Sequence, residues 1–136
     1  MATSFQITVD CADAERMVRF WSTALGYVEE PPPTGFFSWQ DFLRANGIEV
    51  PPPGSIGAIV DPDRVGPRIL FLRVAEPKSV KNRLHFDLRA GGGDGAKDAK
   101  IAELRAAGAT ELRRVDENGQ WWMVMSDPEG NEFCVT

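Results

Sequence analysis

Apolar and polar residues alternate through Asn82-Arg83-Leu84-His85-Phe86-Asp87-Leu88-Arg89. Leu84, Phe86 and Leu88 fall on one face of a strand, and His85, Asp87 and Arg89 fall on the other. The first face suits a core. The second offers an imidazole, a carboxylate and a guanidinium to either bulk water or a pocket. Phe5 to Cys11 repeats the pattern, with Phe5, Ile7, Val9 and Cys11 opposed to Gln6, Thr8 and Asp10. Between these two strands and after them the period changes. Met17, Phe20, Trp21, Ala24 and Leu25 follow helical spacing, behind Asp13 as cap and Glu15 in the first turn, with Gly26 as the stop. Ala96 to Ala107 predicts a second helix with Ile101 and Leu104 inward, and Gly108 ends it.

The remaining strands are bounded by turn residues. Tyr27-Val28 starts a short strand that Pro31-Pro32-Pro33 stops. Ile56 to Val60 and Arg68 to Val74 are strands separated by the turns Asp61-Pro62-Asp63 and Gly66-Pro67. Pro77 to Lys81 is a linker. Thr110 to Val115 and Gln120 to Met125 form a hairpin about Asn118-Gly119. Asp127-Pro128-Glu129-Gly130 turns into a last strand, Asn131 to Val135. Ser38 to Asn46 reads as a short capped helix set between two proline runs. Its aromatic neighbours Phe36, Phe37, Trp39 and Phe42 are expected to cover a core edge, with a pocket roof as the other use.

The element order occurs twice. Val9-Asp10 through Leu25-Gly26-Tyr27 parallels Leu88-Arg89 through Ala107-Gly108-Ala109, and Asp61-Pro62 parallels Asp127-Pro128. Two βαβββ units that cannot each bury a sheet face are expected to pair. This predicts one α+β domain over 1–136. Unit one spans about 4–75 with the proline-bracketed insert 31–54, and unit two about 82–136.

Composition narrows the function classes. The 136 residues suffice for a single core, and a net charge of −5 argues against nucleic acid and anionic membrane surfaces as partners. No apolar run approaches the roughly 20 residues of a membrane helix. Cys11 and Cys134 belong to no CxxC pair, and no signal peptide is evident at the start, so reduced thiols and a cytoplasmic location are expected. Gly91-Gly92-Gly93-Asp94-Gly95 lacks the GxGxxG spacing of a phosphate loop. Lys78, Lys81 and Arg83 suit either a ligand anion or a solvated linker.

Asp127-Pro128-Glu129-Gly130-Asn131-Glu132-Phe133, the Asn82-Arg83-Leu84-His85 strand and the Asp13, Phe20-Trp21, Leu25-Gly26 helix resemble the vicinal oxygen chelate superfamily, in its small glyoxalase-like and bleomycin-resistance-like branch. The resemblance implies two βαβββ repeats whose paired curved sheets form a cleft. It implies a divalent metal on the cleft floor, with zinc, manganese or iron as candidates, and a homodimer.

Carried over by position, the resemblance places metal ligands at Gln6 and His85, which lie on the polar faces described above. A third position falls on Leu70 or Leu72, neither of which binds metal. The fourth falls on Cys134, with Glu132 two residues earlier on the same face. The candidate metal set is thus Gln6, His85 and Cys134, an incomplete one. Glu132 and Asp87 are candidate proton-transfer groups. Gln6, Thr8, His85, Asp87, Trp121, Trp122 and Cys134 are candidate ligand contacts, with one tryptophan of the pair expected to face the cleft and Cys11 expected in the core. The resulting expectation is a small-molecule binder without the complete metal site. The alternative is a divalent-metal-dependent lyase, isomerase or dioxygenase using Gln6 and His85 as ligands.

Overall fold

The structure is a computed structural model and describes residues 1–136. Unit one comprises β1 (Ile7–Cys11), α1 (Ala14–Leu25), β2 (Val28–Glu29), α2 (Trp39–Ala45), β3 (Ile56–Val60) and β4 (Ile69–Arg73). Unit two comprises β5 (Asp87–Leu88), α3 (Asp94–Ala107), β6 (Thr110–Glu117), β7 (Gln120–Ser126) and β8 (Glu132–Val135). The sheets run β1-β4-β3-β2 and β5-β8-β7-β6, so the two topologies coincide. In each, the first strand lies parallel to the last, β1 to β4 and β5 to β8, and the other pairs are antiparallel. This is the repeated α+β architecture that the sequence implied.

Helix α1 forms where the pattern placed it. Asp13 accepts hydrogen bonds from the Glu15 and Arg16 amides, and Gly26 ends the helix at φ 69°. The helix lies on β3 and β4 and touches α3. Gly57 permits this approach, because a Cβ there would stand 2.6 Å from the Val18 methyl. Met17, Phe20, Trp21 and Ala24 are buried in one cluster that also contains Ile59, Ile69 and Phe71 of unit one and Leu104, Met125 and Phe133 of unit two. The units therefore share a core.

Polar bonds across the junction reinforce it. Trp21 donates its indole N–H to Asp127 at 3.1 Å, and Asp127 is 3% exposed. The Glu129 carboxylate accepts from the Ala12 and Asp13 amides at 2.6 and 3.0 Å, just ahead of α1. The turn between β7 and β8 thus holds the start of α1 in the other unit.

Three expectations need correction. The strand drawn through Asn82–Arg89 is regular only at Asp87–Leu88, and Leu84 is 89% exposed rather than inward. Its partner β8 has only four residues and in the parallel register reaches back no further than the position opposite His85, so Leu84 has no strand residue opposite it. The α2 aromatics do not join the shared core, and they do not line the hollow between the units. Phe36 and Trp39 pack edge-on against Phe42, the Trp39 indole bonds the Glu30 carbonyl, and Phe37 is fully exposed. Finally, α3 begins at Asp94, two residues early, because Gly93 at φ 80° serves as its N-cap.

Candidate functional site

Parallel pairing sets Asp87 opposite Cys134 on neighbouring strands, so both side chains leave the same face of the sheet. His85, two residues before Asp87, reaches that face, and its Nδ1 lies 3.1 Å from Asp87 Oδ1. The imidazole, carboxylate and thiol donor atoms all lie within 4.8 Å of one another. His85 and Asp87 are 41% and 53% exposed along their side chains, and Cys134 is half-buried. Burial pushes the Cys134 thiol up, and the nearby Asp87 carboxylate adds to that by its charge and by accepting a hydrogen bond. A protonated thiol of this kind is a weak nucleophile.

The other residues singled out in the sequence are distributed around this group. Trp122 and Val124 share the Cys134 face by strand alternation, since Val124 pairs with Cys134. Trp121 points the opposite way. It is 7% exposed, donates its indole N–H to Asp94 at 2.8 Å and lies beneath the Arg114 guanidinium. Gln6 and Thr8 bond one another at 3.4 Å, and the Gln6 carbonyl accepts from Arg68, which also pairs with Glu30. The Gln6 oxygen is thereby engaged within unit one. Cys11 is buried, and burial first, then the Glu129 charge, pushes its thiol up to about 11.

Glu132 has a structural task. Its carboxylate takes Lys78 at 3.1 Å and the Asn82 amide at 2.8 Å, pinning the linker before β5. Burial alone would push its carboxyl up, but the Asn82 amide, its own amide and Lys78 outweigh this and hold it below the ordinary value of 4.5. Because the folded-state value is depressed, the stabilisation is complete above the ordinary carboxylate range. It is lost as pH falls through the depressed value. Replacing Glu132 by glutamine is expected to cost about 1 kcal/mol or less, given its partial exposure. Amide exchange at Asn82 should then quicken, and wild-type protein should show the same loss on acidification below the ordinary carboxylate range.

A hollow of about 870 Å³ lies between the units. Ile7, Tyr27 and Ile69 line it from unit one, and His85, Phe86, Asp87 and Arg89 from unit two, with Lys100 and Glu103 of α3 at its margin. Sequence reading placed His85, Asp87 and Arg89 on one face but did not find Tyr27 or Lys100. Tyr27 follows the helix-ending Gly26, and its polar tip was the available signal.

A family model described as a glyoxalase-like domain matches residues 6–136. The chain belongs to this family. Its fold is that of the glyoxalase, bleomycin-resistance and dioxygenase proteins. A mutant of FosX, a fosfomycin resistance protein from Listeria monocytogenes, complexed with Mn(II) and 1S,2S-dihydroxypropylphosphonic acid, aligns with a TM-score of 0.66 at 11% identity, over 99% of this chain and 90% of that one. A glyoxalase/bleomycin resistance protein/dioxygenase family enzyme from Burkholderia phytofirmans PsJN aligns with a TM-score of 0.62 at 20% identity, over 96% and 94%. A possible glyoxalase from Bacillus cereus gives 0.64 at 12% identity, over 100% and 99%. Such identities establish the fold and not the activity. No curated protein matches the chain.

The donor chemistry does not fit a manganese site of the kind the resemblance implies. Hard cations take oxygen donors. Here the positions expected to supply carboxylates hold half-buried Leu70 and Leu72 and the Cys134 thiol.

Proposed function

We propose that this glyoxalase-like protein binds a small organic molecule in the hollow between its two units. The observation that carries this reading is the hollow itself, whose volume of about 870 Å³ lies within the roughly 300–1,000 Å³ of small-molecule sites. Its walls combine an apolar floor of Ile7, Ile69, Phe86 and Leu88 with the polar tips of Tyr27, His85, Asp87 and Arg89. That combination suits a ligand with a planar or apolar body and an acceptor-rich or anionic end directed at Arg89 and the imidazole. Hydride, phosphoryl or acyl transfer would need constellations that these residues do not form. The reading of a lyase or dioxygenase using Gln6 and His85 has less support, because Arg68 engages the Gln6 oxygen.

His85 is the only histidine, so its imidazole proton resonances report on the hollow without assignment. Titration with aromatic carboxylates, vicinal dicarbonyl compounds and small phosphonates is expected to move these resonances saturably for at least one class. Arg89→Ala should weaken that response about tenfold or more, the loss expected for a charge-assisted contact. Resonances that stay still across the whole panel would contradict the reading. A homodimer belongs to the same proposal. It is supported by the half-buried Leu70, Leu72 and Trp122 on the sheet faces, and sedimentation at the monomer mass would contradict it.

A further inference from the structure

We propose that the Tyr27 hydroxyl selects the ligand of the hollow by donating a hydrogen bond to a neutral acceptor oxygen, so that the hollow takes aromatic acids carrying a carbonyl at the end remote from the carboxylate. The proposal rests on the ligand reading above and adds to it the recognition of the ligand's second end.

The chain places this phenol with little freedom. Tyr27 follows Gly26, the left-handed stop of α1, and its amide donates to the Ser22 carbonyl at 3.1 Å. Its ring packs against the core that the units share, and the residue lines the hollow. The loop between β3 and β4 is shaped around the hydroxyl. A Cβ at Gly66 would stand 2.1 Å from the Tyr27 Oη and 3.2 Å from its Cζ. Only a residue without a side chain leaves the phenol where it is. Asp61 fixes that loop by accepting from the Asp63, Val65 and Gly66 amides at 2.9, 3.1 and 2.8 Å. The next residue, Pro67, lines the hollow as well.

The surroundings decide what the phenol can bind. Both Asp61 oxygens are engaged by backbone amides, so the Tyr27 proton is free for a group in the hollow. Burial first, then the Asp61 charge, raises the phenol above its ordinary value, so it is a donor at neutral pH. Thr23 and Tyr27 carry the only polar side chains that unit one gives the hollow. Unit two supplies the charges, with Arg89 and His85 among them. The anionic end of a ligand therefore belongs to unit two. An anion at the other end would face the Asp61 carboxylate, and an apolar group there would leave the phenol unpaired. A neutral carbonyl meets neither cost, and an aromatic body fits between the two ends over Ile7, Ile69 and Phe86.

The test uses the full chain labelled with ring-carbon-13 tyrosine. Tyr27 is the only tyrosine and His85 the only histidine, so each ring reports alone. The probes are 4-acetylbenzoate and 4-isopropylbenzoate, which match in charge and closely in size but differ in the acceptor oxygen. The acetyl compound is expected to shift both rings saturably. It should bind about three- to tenfold more tightly than the isopropyl compound, the range for one neutral hydrogen bond. Tyr27→Phe keeps the ring and should abolish this preference, weakening the acetyl compound while leaving the isopropyl compound unchanged. Gly66→Ala displaces the phenol without removing it and should reduce the preference too. A purely structural role would weaken both acids alike. Equal affinities in the wild type, or a preference that survives Tyr27→Phe, overturn this proposal and leave the hollow reading standing. If neither acid moves either ring this proposal also falls, whereas the hollow reading falls only when the other ligand classes are silent as well. Far-ultraviolet circular dichroism of each variant separates lost binding from lost folding.

Discussion

Trp21→Ala is expected to remove about 3–5 kcal/mol of folding stability, the range for truncating a large buried aromatic residue. A domain of this size has about 5–15 kcal/mol in total, so the variant should be partly unfolded at physiological temperature. Trp21 is 4% exposed and lies at the meeting point of the two units. Its ring packs edge-on against Phe20 at 5.1 Å, Phe86 at 5.3 Å and Phe133 at 5.2 Å between centroids. Two of these neighbours belong to the other repeat. Alanine would leave a cavity between the units and deprive the buried Asp127 carboxylate of a donor. Trp21→Phe restores most of the packing but not the N–H, and should cost only about 1–3 kcal/mol. Urea unfolding followed by circular dichroism measures both. A loss below about 1 kcal/mol for Trp21→Ala would mean that the halves do not depend on one core.

Helix α1 was legible because its signals are local. A cap, five apolar residues at helical spacing and a glycine stop all act within one element, and Ala14 and Val18 are the two buried members that the spacing missed. The double βαβββ order was legible because turn residues punctuate both units at matching places. The exposed Leu84 shows where alternation fails. Alternation describes the faces a strand would have, but pairing requires a neighbour, and β8 supplies only four residues. The aromatics around α2 show that composition does not say which surface they cover. For the candidate site, His85, Asp87 and Cys134 were each named from sequence, and the parallel register is what brings them together. Trp121 and Trp122 were known to oppose each other, but only the packing of α3 decides that Trp121 turns inward. The partners of Asp127 and Glu129 in the other unit, Trp21 and the Ala12 and Asp13 amides, were not legible. They lie more than a hundred residues away in sequence, and nothing local to the turn points to them.

That turn carries the second large effect. Asp127→Ala is expected to cost about 3 kcal/mol or more, measured by the same unfolding transition. The buried carboxylate accepts from the Trp21 indole, from the Glu129 and Asn131 amides, and from the Asn131 side chain through both oxygens. Removing it strands donors in a place that water reaches poorly, and each stranded group costs about 1–3 kcal/mol. It also frees the turn that aims Glu129 at the Ala12 and Asp13 amides, so the start of α1 loosens with it. Asp61, at the matching turn of unit one, bonds only the Asp63, Val65 and Gly66 amides of its own loop. Asp61→Ala should therefore have a distinctly smaller effect, although the two Asp-Pro turns look equivalent in sequence. Coupling between Asp127→Asn and Trp21→Phe should appear in a double-mutant cycle at about 0.5–3 kcal/mol. Additive effects there would mean that the indole–carboxylate bond does not link the two units.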